Sequence, residues 1–167
     1  MRKRSRTVAL CIVGAAAFAL AGCRDEKVES LAVPDLAACK AQASVSQDFT
    51  AADCDTAFAE ATALHAETAP RYDSQQVCEE VHGVGACGTE QASTGSGMGS
   101  IFMPMLAGML IGNMLGGRGV ASQPLYRSST GGYTNAAGTS SYSSNSGRGT
   151  VSASQFNKAP STIGKAP

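Results

Sequence analysis

Four cysteines, Cys39, Cys54, Cys78 and Cys87, fall in a stretch with few large apolar side chains, and this sets how that stretch can fold. Residues 33–90 lack the apolar mass for a large core, Trp is absent from the chain, and scaffolds of this size usually need staples. An even number of cysteines in a small exported domain reads as a disulfide framework. Cys39 with Cys54 and Cys78 with Cys87 is the pairing taken, and two other connectivities stay open. A bridge closing a loop of about 15 residues contributes roughly 3 kcal/mol on the chain-entropy account. The alternative is a metal site completed by His65 or His82. Cysteine spacings of 15, 24 and 9 match no common zinc pattern, which wants two ligands two to four residues apart. No metal site or cofactor is expected, and both histidines read as solvent-facing helix residues.

Export is read from the first 22 residues. Residues 1–6 (MRKRSR) are a charged leader and residues 7–22 are apolar, Ala-rich and uncharged. As a helix the apolar stretch would rise about 24 Å, short of the roughly 30 Å hydrocarbon core of a bilayer. It ends in Leu20-Ala21-Gly22-Cys23, which resembles the lipobox of bacterial lipoproteins. That resemblance implies cleavage before Cys23, diacylglycerol on its thiol, and a fatty acid such as palmitate on the new amino terminus. Two or more acyl chains give stable anchoring. Arg24, where an Asp would signal retention in the inner membrane, points to the outer membrane, facing the periplasm.

Three helices are predicted behind residues that cap helices well: Asp35 before 36–43, Thr50 before 51–68 and Ser74 before 75–82. Cys54, Phe58, Ala61, Leu64 and Thr68 make one face of the second, Pro70 closes it, and Gly83 ends the third. Residues 23–32 are read as a linker and 91–100 as a Gly/Ser linker.

Residues 101–117 (IFMPMLAGMLIGNMLGG) carry no charge. Pro104 suits a first helical turn, and Gly108, Gly112 and Gly116 make a glycine-zipper stripe on which a second helix could pack. Such a segment enters a membrane or self-associates, docks on the head and supplies its missing apolar mass, or stays unstructured. The first is the reading taken, with a second copy or another envelope protein as partner. Residues 118–167 are Ser, Gly, Thr and Ala with scattered Tyr and Arg, and are expected to be disordered. The expected fold is thus a small mainly-α, disulfide-stapled domain with a Met/Gly-rich apolar helix and a disordered tail.

Charge divides the chain. Cys23 to Glu90 holds 13 acids and four bases, whereas Gln91 to Pro167 holds five bases and no acid. The Tyr and Arg residues of the tail would suggest nucleic acid in a cytosolic protein, but not behind a lipobox. The acidic head, or anionic envelope material, is the better electrostatic match. No order of Ser, His, Asp or Cys suggests a nucleophile, so no enzyme is expected.

Leu20-Ala21-Gly22-Cys23, the four-cysteine head with Glu67-Thr68-Ala69-Pro70-Arg71-Tyr72, then Phe102-Met103-Pro104-Met105-Leu106-Ala107-Gly108, then Gln123-Pro124-Leu125-Tyr126 together resemble the YgiB/YjfM-type family of bacterial envelope proteins. Gly132-Tyr133-Thr134 resembles that family's tail, which is longer than the one here. Its members have no known function, so the resemblance implies architecture and no activity. Genes for similar proteins often lie beside one for a glutathionylspermidine-synthase-like ligase. The expectation is a membrane-anchored envelope lipoprotein with a structural or assembly role. The alternative is a module whose acidic head binds cations or polyamines.

Overall fold

The computed structural model describes residues 26–46, 48–89, 101–112 and 121–163. In chain order these form β1 (Lys27–Val33), α1 (Leu36–Ala43), α2 (Ala51–Thr68), α3 (Gln75–His82), β2 (Cys87–Thr89), β3 (Phe102–Pro104), β4 (Gly108–Gly112), β5 (Ala121–Arg127), β6 (Tyr133–Thr134), β7 (Ser141–Tyr142) and β8 (Gly147–Ser152). A short 3-10 helix, Ala153–Phe156, follows.

The three helices occupy the predicted ranges because their caps are formed. The Ala38 amide donates to the Asp35 carboxylate at 2.7 Å and the Val77 amide to the Ser74 hydroxyl at 3.3 Å. Thr50 and Asp53 make a reciprocal capping box, the Thr50 amide donating to Asp53 at 2.8 Å and the Asp53 amide to Thr50 at 3.3 Å. On α2, Cys54, Ala57, Ala61 and Thr68 are buried and Phe58 packs beside them.

The mainly-α expectation is overturned. The centre of the molecule is a six-stranded antiparallel sheet in the order β7-β6-β5-β4-β1-β8, with β2 and β3 as a separate pair, so the domain is mixed α/β. Residues 27–33, mostly expected as linker, are β1. The predicted glycine-zipper helix is also corrected. Gly108–Gly112 is a strand paired on both sides, with Ser30 opposite Gly112 on β1 and Leu125 opposite Gly108 on β5. Pro104 opens no helix; it lies in β3 opposite Cys87. The tail is likewise not disordered where it is described, since it supplies β5 to β8.

Register explains the layering. Leu31 opposes Ile111 and Val33 opposes Met109, so these four share one face of the sheet. They form the main core with Cys39, Phe49, Cys54, Ala57 and Ala61 beneath α1 and α2. On the opposite face Ala32, Leu110 and Leu125 pack with Tyr142, Val151 and Phe156 from the tail. The head thus gains its apolar mass from β4 within the same chain, as a strand. The tail lacks a core of its own and borrows the back of the sheet.

Gly108 and Gly112 lie two strand repeats apart on that back face. Gly108 has φ +151°, and a Cβ there would lie 2.8 Å from the Val33 carbonyl oxygen and 3.2 Å from Asn145. At Gly112 a Cβ would collide with the ring of Phe156. The stripe does admit a close neighbour, namely the tail. Gly116 lies outside the described residues.

Candidate functional site

Cys39 is bonded to Cys54, fastening α1 to α2 inside the main core, where both are fully buried. Cys78 is bonded to Cys87, fastening α3 to β2. Cys23, the expected lipid-bearing residue, lies outside the described residues.

The second disulfide fixes how α3 is turned. Cys78 and His82, one helical turn apart, face inward, while Val77 and Val81 are 45% and 46% exposed. His82 is therefore not the solvent-facing residue expected from sequence; it is 3% exposed. Its Nδ1 lies 2.8 Å from the Arg127 carbonyl oxygen, which can only accept, so Nδ1 carries the proton and donates. Nε2 of the neutral ring then accepts from the Tyr72 hydroxyl at 2.9 Å. Burial lowers the pKa of His82 below its usual value of 6.5, opposed by the hydrogen bond to Arg127.

Two further groups brace this region. The hydroxyl of Tyr126 and Nδ1 of His65 are 3.0 Å apart, joining β5 to α2. Arg71, 2% exposed, donates from Nη2 to the Ala66 carbonyl at 2.8 Å and from Nη1 to the Ala69 carbonyl at 3.3 Å. Nη1 also donates to Thr162 Oγ1 at 2.6 Å. A guanidinium at the carbonyl end of α2 meets the negative end of the helix dipole. Burial pushes the Tyr72 phenol up and holds that of Tyr126 far above its ordinary value, with Arg71 opposing. Through these hydrogen bonds the His–Tyr–Arg cluster braces α2, α3 and β5 against one another.

One consequence is measurable. With the folded pKa of His82 below the unfolded one, the unfolded chain binds more protons, so stability rises with pH. It should be intact above about pH 6.5 and fall as pH drops from there toward the lowered folded pKa. The thermal midpoint of the full chain, followed from pH 8 to 5, should decline on the acid side. That decline should be smaller in His82→Gln. Equal slopes for the two proteins would remove His82 as the cause.

Two bases of the tail meet acids of the head. Arg148 of β8 meets Asp48 at 2.9 Å, and Lys158 meets Glu67 at 2.7 Å. Within the head Lys40 meets Asp55 at 2.7 Å. The Arg148–Asp48 pair stands at the rim of a cleft of about 260 Å³ between β1, β8 and the connection from α1 to α2. Leu31, Phe49 and Ile111 form its apolar floor and Glu29 part of its rim. Sequence reasoning missed this cleft because it joins residues some 120 positions apart through the β1–β8 pairing. Among the described residues no cluster of His, Cys, Asp and Glu could hold a metal ion, and no helix is long and apolar enough to cross a membrane.

Residues 27–167 match the family described as proteins of unknown function, DUF1190. A UPF0441 protein of Serratia proteamaculans is 34% identical over 134 residues, covering 75% of this chain and 57% of that protein. A UPF0441 protein of Klebsiella pneumoniae is 32% identical over 158 residues, covering 84% of this chain and 67% of that one. The chain therefore spans little more than half to two thirds of the length of these relatives. No solved structure matches the chain.

Proposed function

The chain belongs to the DUF1190 family of proteins of unknown function, and from that premise we propose a non-catalytic module of the bacterial envelope, tethered by lipid on Cys23. The observation that carries the reading is the pairing of a lipobox-like Leu20-Ala21-Gly22-Cys23 with a small domain whose four cysteines are joined in two disulfides. Disulfides persist in oxidising compartments and are rare where thiols are kept reduced. The compartment implied by the leader and the chemistry of the domain agree.

The tether would be short. Three peptide links separate Cys23 from Glu26, the residue before β1, and three links span at most about 11 Å. The domain would then sit against the bilayer surface, with an assembly role exercised there. Capture of polyamines by the acidic head draws less support, because Asp48, Asp55 and Glu67 already hold Arg148, Lys40 and Lys158.

The test is covalent chemistry at Cys23. Bacteria expressing the full chain and fed an alkyne-bearing palmitate should yield a labelled protein lacking residues 1–22. Cys23→Ser should lose all label and remain longer. Label retained by Cys23→Ser, or an unmodified thiol at Cys23 in the wild type, would end this proposal.

A further inference from the structure

The sheet has two edges, and they are treated differently. At one end β7 is only two residues long, a common way for natural sheets to avoid unwanted pairing. At the other end β8 runs for six residues, Gly147–Ser152, with no proline and one charge, and its first four residues are exposed. That charge does not guard the edge, because the Arg148 guanidinium is drawn across to Asp48 at 2.9 Å and Ser46 at 3.2 Å. The Ala153 amide donates to the Glu26 carbonyl at 2.7 Å, which sets the phase of the β1–β8 ladder. Opposed residues of an antiparallel pair alternate between bonded and unbonded, so Gly147, Gly149 and Val151 turn their amides and carbonyls to β1. Arg148 and Thr150 turn theirs outward, where they meet no backbone partner among the described residues.

We propose that this edge takes up an extended peptide segment of a partner protein as a seventh, antiparallel strand. Main-chain bonds to Arg148 and Thr150 hold it, and the cleft beside β8 selects its side chains. Arg148 opposes Leu31 and Thr150 opposes Glu29, all on the face that carries the cleft. A side chain opposite Arg148 therefore lies beside the cleft, whose floor of Leu31, Phe49 and Ile111 is apolar. Leu31 would be two strand spacings, about 10 Å, from the added backbone, so the side chain that fits is long and apolar. The residue two positions before it falls opposite Thr150, toward Glu29, which is exposed and meets no base among the described residues. A lysine or arginine fits there.

A second copy of this chain is the poorer occupant. Laid edge to edge, its β8 brings only Arg148 and Thr150 to that face, a like charge and a hydroxyl, and leaves the apolar floor bare. The edge gives the assembly role proposed above a surface, yet it is independent of lipid on Cys23, so failure to bind peptide would leave the outcome of palmitate labelling untouched.

The probe is a fluorescein-labelled heptapeptide, Ser-Thr-Lys-Val-Leu-Thr-Ser, titrated with the full chain in detergent and followed by fluorescence anisotropy. Saturable binding is expected, with slowed hydrogen exchange at the Arg148 and Thr150 amides once peptide is present. Thr150→Pro removes an outward amide and no bond to β1, a position where an edge strand tolerates proline, and should weaken binding at least about tenfold. Methylating the leucine amide of the peptide should do the same with wild-type protein, which keeps the test decisive if Thr150→Pro fails to fold. Alanine in place of the peptide's leucine should weaken binding about tenfold, and Glu29→Gln about twofold. Absence of saturation, or equal binding of the methylated peptide, would overturn the assignment. So would Arg148 and Thr150 amides already protected without peptide, or a wild-type dimer that Thr150→Pro dissolves, since the edge would then belong to another segment of this chain or to a second copy.

Discussion

Replacing Cys39 and Cys54 together by alanine is expected to destabilise the folded chain by about 3 kcal/mol, the contribution of a bridge across roughly 15 residues. For a domain of this size that lowers the thermal midpoint by roughly 10 °C. The effect should be no smaller than this, because both sulfurs sit fully buried among Leu31, Val33, Ala57 and Met109, and two alanines leave a void there. Circular dichroism melts of the wild type and the double variant measure it. Burial also orders the two disulfides by reactivity. Cys87 is half-buried whereas Cys39 and Cys54 are fully buried, so a mild reductant should open Cys78–Cys87 first. An unchanged melting temperature in Cys39→Ala/Cys54→Ala would mean that the core holds without its staple.

The second large effect has a sign that separates two architectures. If residues 104–116 were a helix, Gly108→Ala would stabilise it by up to about 1 kcal/mol. In the strand the same change should destabilise by about 2–3 kcal/mol, from a backbone conformation that alanine avoids and a Cβ pressed on the Val33 carbonyl oxygen. A backbone oxygen in a paired strand cannot give way as a flexible side chain does. Urea unfolding of wild type and Gly108→Ala decides it, and a gain in stability would sink the strand assignment.

That ambiguity shows how far the sequence could be read. Helix caps are local: Asp35, Thr50 and Ser74 act within one turn, and all three helices were legible from them. Glycines four apart are not diagnostic. Four residues is close to one helical turn and is also two strand repeats, so Gly108 and Gly112 mark a common face in either structure. The five residues Gly108–Gly112 are apolar on both faces, as a central strand requires, and so short a run between glycines was the available signal. The tail was misread because composition weighs a segment against itself. Leu125, Tyr142 and Phe156 are too few to bury one another, yet they suffice when Ala32 and Leu110 supply the other half of the layer. The candidate sites were still less legible. The cleft depends on β1 meeting β8, a pairing that no local pattern encodes.

Pairing β1 with β8 also dictates when the domain can exist. Lys27 lies opposite Ser152 and Ala32 opposite Gly147, so the first strand waits until residues 147–152 have been synthesised. Only β4 can pair with β1 before then. If Cys23 is acylated as proposed, a chain threaded outward amino end first would present it while the sheet is still missing an edge. Such contacts, distant along the chain, form slowly. Membrane attachment would precede folding, and a message truncated before residue 147 would leave a tethered, unfinished sheet open to envelope proteases.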